Sequence, residues 1–180
     1  MNFSNINLIE NEFNDLRINP ILKFGLTVGL INENDYRNWK LTLIPPKDSK
    51  YANSLYSLSI NFPVGYPNEP PIICFITPIY HLNINPYAPR IPGDCPLGYV
   101  CIIPLGLWKP GDKIRETLIN IYSLFYYENP SCTFGNERLN EFRNYRNIYE
   151  DKKVYFTKKY ADYSKNEIPS NSEDWNFYLF

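Results

Sequence analysis

The chain has 180 residues, 44% of them hydrophobic and 17% aromatic, and a formal net charge of -1. That length suits a single domain with a real core, and 16 tyrosines predict that much of the core is flat and large. The near balance of 18 basic and 19 acidic residues argues against a nucleic-acid partner held by a basic surface. No apolar run reaches the roughly 20 residues that span a bilayer, so no membrane partner is expected. The first residues, MNFSNINLIENEF, lack the basic start of a secretory signal. The expected location is cytoplasmic or nuclear, where thiols stay reduced.

In chain order, residues 5–18 read as an amphipathic helix, with Ile6, Ile9, Phe13 and Leu16 at helical spacing and Pro20 as its stop. Four short apolar segments follow, at 23–30, 38–45, 55–62 and 72–77, separated by turn residues. In the third, Tyr56, Leu58, Ile60 and Phe62 alternate with Leu55, Ser57, Ser59 and Asn61, the period of a strand with one buried face. Four strands with short links predict an antiparallel meander. After Pro78 regular pattern vanishes for about thirty residues, and a loop that long in a compact domain is functional or disordered. Pattern returns at Asp112, a fair N-cap, and Ile114, Leu118, Ile121 and Phe125 line one face of the helix after it. Further helices are expected at 136–146, using Leu139, Phe142 and Tyr145, and at 149–163. Helices segregated from strands in this way predict an α+β fold.

The four cysteines are Cys74, Cys95, Cys101 and Cys132. No C-x-x-C pair is present and His81 is the only histidine, so no metal is expected and four free thiols is the simpler reading.

The order of these elements resembles the core of the ubiquitin-conjugating (E2) enzymes, and the residues between them agree. Trp39 opens the second strand, and Pro45-Pro46 and Tyr51 follow at the family's places. Phe62-Pro63, Tyr66-Pro67 and Pro70-Pro71 match the family's FP, YP and PP before a buried strand. Tyr80-His81-Leu82-Asn83-Ile84 is similar to its His-Pro-Asn segment, and Gly98-Tyr99-Val100-Cys101-Ile102 to the segment of its active cysteine. Trp108-Lys109-Pro110 and then Asn129-Pro130 complete the series. The likeness covers about residues 5–163. It implies an E2 (UBC) fold with a core over 1–163 and a C-terminal aromatic tail at 164–180, which carries Trp175, Phe177 and Phe180.

The resemblance also assigns roles. Cys101 is the implied nucleophile, because a thiolate both attacks a carbonyl well and leaves well. Asn83 is the implied oxyanion donor. His81 is implied to hold its loop through backbone hydrogen bonds, having no obvious carboxylate partner nearby in sequence. The implied partners are ubiquitin or a ubiquitin-like protein, an activating (E1) enzyme and a ligase (E3), with no cofactor.

Several positions depart from the family. Leu82 stands where the family has proline, which frees φ and removes a preset turn. An insertion over 85–97 separates Asn83 from Cys101 and brings Cys95, a rival nucleophile, a disulfide partner for Cys101, or an idle loop thiol. Cys132 takes the place where the family often carries Asp or Ser beside the site, and a thiol is a poor substitute for a carboxylate at neutral pH. The first helix shows Asn7, Leu8, Glu10, Asn11 and Glu12 where the family often has basic residues, and Asn68 and Glu69 replace an aromatic in the loop that meets ligases. Two readings therefore stand: a transferase that carries a modifier as a cysteine thioester, and a non-catalytic module that positions ubiquitin or another conjugating enzyme.

Overall fold

In the computed structural model residues 3–21, 25–87 and 89–162 are described, so the expected boundary at 163 and the tail at 164–180 lie outside the described residues. The chain runs α1 (Phe3–Ile18), β1 (Thr27–Leu30), β2 (Asn38–Leu43), β3 (Tyr56–Asn61), β4 (Ile72–Phe75), α2 (Ile114–Ser123), α3 (Asn136–Asn144) and α4 (Arg146–Tyr160). The four strands form one sheet in the order β1-β2-β3-β4, every pair antiparallel. This is the expected α+β meander with an N-terminal helix, a long loop and C-terminal helices.

The sheet's buried face is set by strand periodicity. Trp39, Leu41 and Leu43 of β2 pair in register with Ile60, Leu58 and Tyr56 of β3, and all six are at most 1% exposed. Helix α1 packs on this side through Ile9, Phe13 and Leu16, with Phe13 edge-on to Trp39 at 5.3 Å between ring centroids. Ile6, expected on the same stripe, is instead exposed. Glu12 is buried, and its Oε2 accepts the Tyr66 hydroxyl at 2.8 Å and the N–H of Ile114 at 3.1 Å. It therefore ties α1 to the first turn of α2, where a free N–H and the positive end of the helix dipole favour a carboxylate. Burial pushes its pKa up against those bonds.

Helix α2 buries Ile114, Leu118 and Ile121, with Phe125 just beyond its end, as the sequence pattern predicts. Its N-cap is Lys113 rather than Asp112, because Asp112 Oδ2 accepts the Lys109 N–H at 3.0 Å and closes the turn before the helix. The Lys113 N–H is taken by Glu116 Oε2 at 2.9 Å. The expected helix 136–146 ends at Asn144, where Tyr145 (φ -137°, ψ 55°) breaks the helical path before α4. Tyr145 is exposed, and the buried residues of α3 are two charged ones, Arg138 and Glu141. A second small apolar cluster of Tyr80, Leu82 and Tyr149, flanked by Leu139, Phe142 and Phe156, fastens α3 and α4 to the segment that follows β4.

Candidate active site

Three segments meet around Cys101. The first is 81–85, which is buried throughout. Asn83 donates its backbone N–H to His81 Nδ1 at 3.0 Å, so the histidine's proton sits on Nε2, which donates to the Leu124 carbonyl at 2.9 Å. The His81 ring thus binds two backbone groups. Burial holds its pKa below the ordinary value, against the opposing pull of Glu128, whose carboxylate lies 3.8 Å away.

The second segment is the turn after α2. Asn83 reaches it with its whole side chain: Nδ2 donates to the carbonyls of Asn129, at 2.7 Å, and of Cys132, while Oδ1 accepts the Asn129 N–H at 2.9 Å. Asn129 in turn accepts the Ser131 N–H at 2.9 Å through Oδ1. Both hydrogens of the Asn83 amide are therefore taken by loop carbonyls, and the residue is fully buried.

The third segment is the return of the insertion, 98–102. It runs between β4 and residue 84: Cys74 bridges Tyr99, and Ile84 bridges Val100. Gly98 makes the closest approach. Its carbonyl accepts the Phe75 N–H at 2.8 Å and its N–H donates to the Asn85 carbonyl at 2.8 Å. With φ at +76°, a Cβ here would lie 2.0 Å from the Phe75 carbonyl oxygen, so only glycine fits. Val100 and Ile102 point into the core at 0% exposed, and Cys101 between them is half-buried at the surface.

The Cys101 thiol has the Cys132 thiol as a neighbour, and burial together with that neighbour pushes the Cys101 pKa up to about 11. In this arrangement the sulfur is protonated at neutral pH, so attack on a carbonyl requires a base or a shift of environment when a partner binds. Cys95 is exposed at the end of the insertion; partial burial and the nearby Cys101 raise its pKa as well. All four cysteines are free thiols. Among the described residues no three His, Cys, Asp or Glu side chains group as a metal site needs, and no helix is long and apolar enough to cross a membrane.

The insertion is held at its ends. Asn85 is buried, and its Nδ2 faces the carbonyls of Tyr87, Cys95 and Pro96 at 3.1, 2.9 and 3.0 Å. Further out, Asp94 Oδ2 accepts the N–H groups of Arg90 and Ile91 at 2.9 and 3.1 Å, and these residues are exposed.

Comparison with known proteins agrees with the fold. The family model described as ubiquitin-conjugating enzyme matches residues 8–157. The chain belongs to the ubiquitin-conjugating enzyme family. It is 28% identical over 152 residues to ubiquitin-conjugating enzyme E2 13 of Arabidopsis thaliana, covering 81% of this chain and 89% of that protein. A crystal structure of a ubiquitin-conjugating-type protein from Plasmodium yoelii superposes with a TM-score of 0.69 at 23% identity, covering 85% of this chain and 92% of the other, and supports the fold.

Within this family frame, the structure brings Cys101, Asn83 and Cys132 together, with His81 one layer deeper. It also places residues that sequence reasoning did not single out. The Glu128 side chain is buried beside His81; Arg138 donates to the carbonyls of His81 and Ile84 at 2.9 and 3.3 Å; Asn85 gathers the insertion. One signal for this layer was available. Tyr149, Lys153 and Thr157 recur every four residues on α4, all buried, and a lysine on an apolar helical stripe calls for a buried anion.

Proposed function

We propose that the chain is a transferase carrying ubiquitin or a ubiquitin-like modifier as a thioester on Cys101. The observation that carries this reading is the position of Cys101: a half-buried thiol between two core residues, beside the turn that Asn83 anchors. In the first step the Cys101 thiolate attacks the modifier's C-terminal carbonyl on an activating enzyme, and that enzyme's thiol leaves. In the second an acceptor lysine amine attacks the same carbonyl, an isopeptide bond forms, and the Cys101 thiolate leaves.

Asn83 has two parts in this scheme. At rest it positions the 129–132 turn next to the sulfur. During transfer it serves the carbonyl's developing charge once one of its two loop carbonyls gives up its N–H. His81 supports the same segment from below as a neutral ring. Cys132, a thiol neighbour of the Cys101 sulfur, supports lysine approach only as a weak polar group. A ligase partner and a cytoplasmic or nuclear setting follow from the same reading.

The test is a loading assay. The protein is incubated with an activating enzyme, ATP and ubiquitin, or a panel of related modifiers each with its own activating enzyme, and run on gels with and without reductant. A reductant-sensitive adduct lost in Cys101→Ser and kept in Cys95→Ser supports the reading. Absence of any adduct across the panel overturns it in favour of a binding module.

A further inference from the structure

The buried carboxylate of Glu128 has no part in the chemistry above, yet it sits between α4 and the segment that carries Asn83. Its side chain is 4% exposed. Oε1 accepts the Tyr149 hydroxyl, and Oε2 accepts Lys153 Nζ at 3.1 Å. Arg146 lies 3.8 Å from Oε2 and His81 Nε2 lies 3.8 Å from Oε1. Burial alone would raise its pKa; the His81 ring, Lys153 and the bonds from Tyr149 and Lys153 outweigh burial and leave the carboxyl below its ordinary value.

One further group faces this carboxylate. The backbone N–H of Leu82 points at Oε1, 3.4 Å away, the same oxygen that accepts the Tyr149 hydroxyl. Leu82 is fully buried, so its N–H has no water to turn to. A proline at this position would have no N–H and a fixed φ. Leucine brings a buried donor and a freer backbone, immediately before Asn83. The next residue along each segment repeats the link: Asn83 binds Asn129 as Leu82 binds Glu128. Two consecutive residues of one segment are thus held by two consecutive residues of the other. The first rung is a charge backed by α4.

We infer that Glu128 is a positioning residue for the transfer site, satisfying the Leu82 N–H and holding the 81–84 segment, and through it Asn83, against the turn beside Cys101. The inference rests on Cys101 being the acceptor thiol, so its test includes a readout that does not use transfer.

That readout is hydrogen exchange at the Leu82 and Asn83 amides, measured in the full chain with Glu128→Gln and with Tyr149→Phe. Both variants keep side-chain volume, and the glutamine keeps one acceptor while giving up the charge. The inference expects at least tenfold faster exchange at these two amides in Glu128→Gln and a smaller rise in Tyr149→Phe, with the β2–β3 amides unchanged. Unchanged exchange at Leu82 in Glu128→Gln overturns it, whatever the loading assay finds.

The second arm is a cycle with Leu82→Pro, which removes the donor and restores a fixed φ. Glu128→Gln is expected to slow single-turnover discharge of the loaded protein to lysine about tenfold in the leucine background and less than threefold in the proline background. An equal loss in both backgrounds makes Glu128 a general stabiliser and overturns the positioning role. If Leu82→Pro does not fold, the exchange measurement decides alone.

Discussion

The two sides of Cys101 are built by opposite means. The 81–84 side is wholly buried and held by side chains from distant parts of the chain: Asn83 to the 129–132 turn, Glu128 to α4, Arg138 from α3. The described residues of the 86–97 side are largely exposed and bonded mainly among themselves, with Asn85 and Gly98 pinning its two ends. The first arrangement fixes a direction in space. The second fixes only where a loop leaves and returns, so its length and composition are free to vary without moving the sulfur.

The sharpest way to break this contrast is Gly98→Ala, at the one point where the loop side becomes as constrained as the buried side. Its Cβ would collide with the Phe75 carbonyl at a positive φ. Adding a left-handed-region penalty to an overpacking cost gives a loss of roughly 2–6 kcal/mol. Chemical denaturation should show it, and alanine at an exposed position such as Ile91 should cost under about 0.5 kcal/mol.

Next in size is Asn83→Ala. It leaves the Asn129 N–H and the Asn129 and Cys132 carbonyls short of partners, for a loss of about 1–3 kcal/mol. A residue serving only as an oxyanion donor would instead lose on the order of 10²–10³ in discharge rate with an unchanged melting temperature. Measuring both separates the two parts assigned to Asn83.

The buried side also carries a pH signature. His81 has a folded pKa below its ordinary 6.5, so below that pH the unfolded chain takes up a proton that the folded chain resists. Its contribution is fully present above pH 6.5 and is lost as pH falls toward the folded value, at no more than about 1.4 kcal/mol per pH unit. Glu128, whose pKa is lowered, adds the same sign of change only as pH falls below its ordinary 4.5. Stability measured from pH 7 to 5 should slope accordingly, and His81→Gln should flatten it; an unchanged slope would remove His81 from this account.

The smallest expected effect is at the thiols. Cys132 contributes to the raised pKa of Cys101, after burial. Cys132→Ala should therefore speed iodoacetamide alkylation of Cys101 at pH 8 several-fold, read by peptide mass spectrometry. Slower alkylation would mean that Cys132 assists ionisation.

Much of the fold was legible in the sequence because its signals are local. Alternation in β3, the apolar stripe of α2 and the proline pairs each lie within a few residues. Asn83 and Cys101 were singled out by the resemblance of the short segments around them, each a local signal. The back of the site was not legible. Glu128, Arg138, Tyr149 and Lys153 come from three separate stretches, and no local periodicity joins a carboxylate before Asn129-Pro130 to a lysine 25 residues later. Capping misled for a similar reason: Asp112 resembles an N-cap in sequence, but its oxygen closes the preceding turn instead. Glu12, one of the acids that looked like a partner-facing surface of α1, is buried against α2.

The most direct test of the central claim lets the two candidate thiols compete in the unaltered chain. The protein is loaded with modifier by its activating enzyme, digested without reductant, and the peptide carrying the modifier remnant is identified by mass. The account predicts the remnant on Cys101 with Cys95 free. A remnant on Cys95, or on neither thiol with every modifier tried, would contradict it.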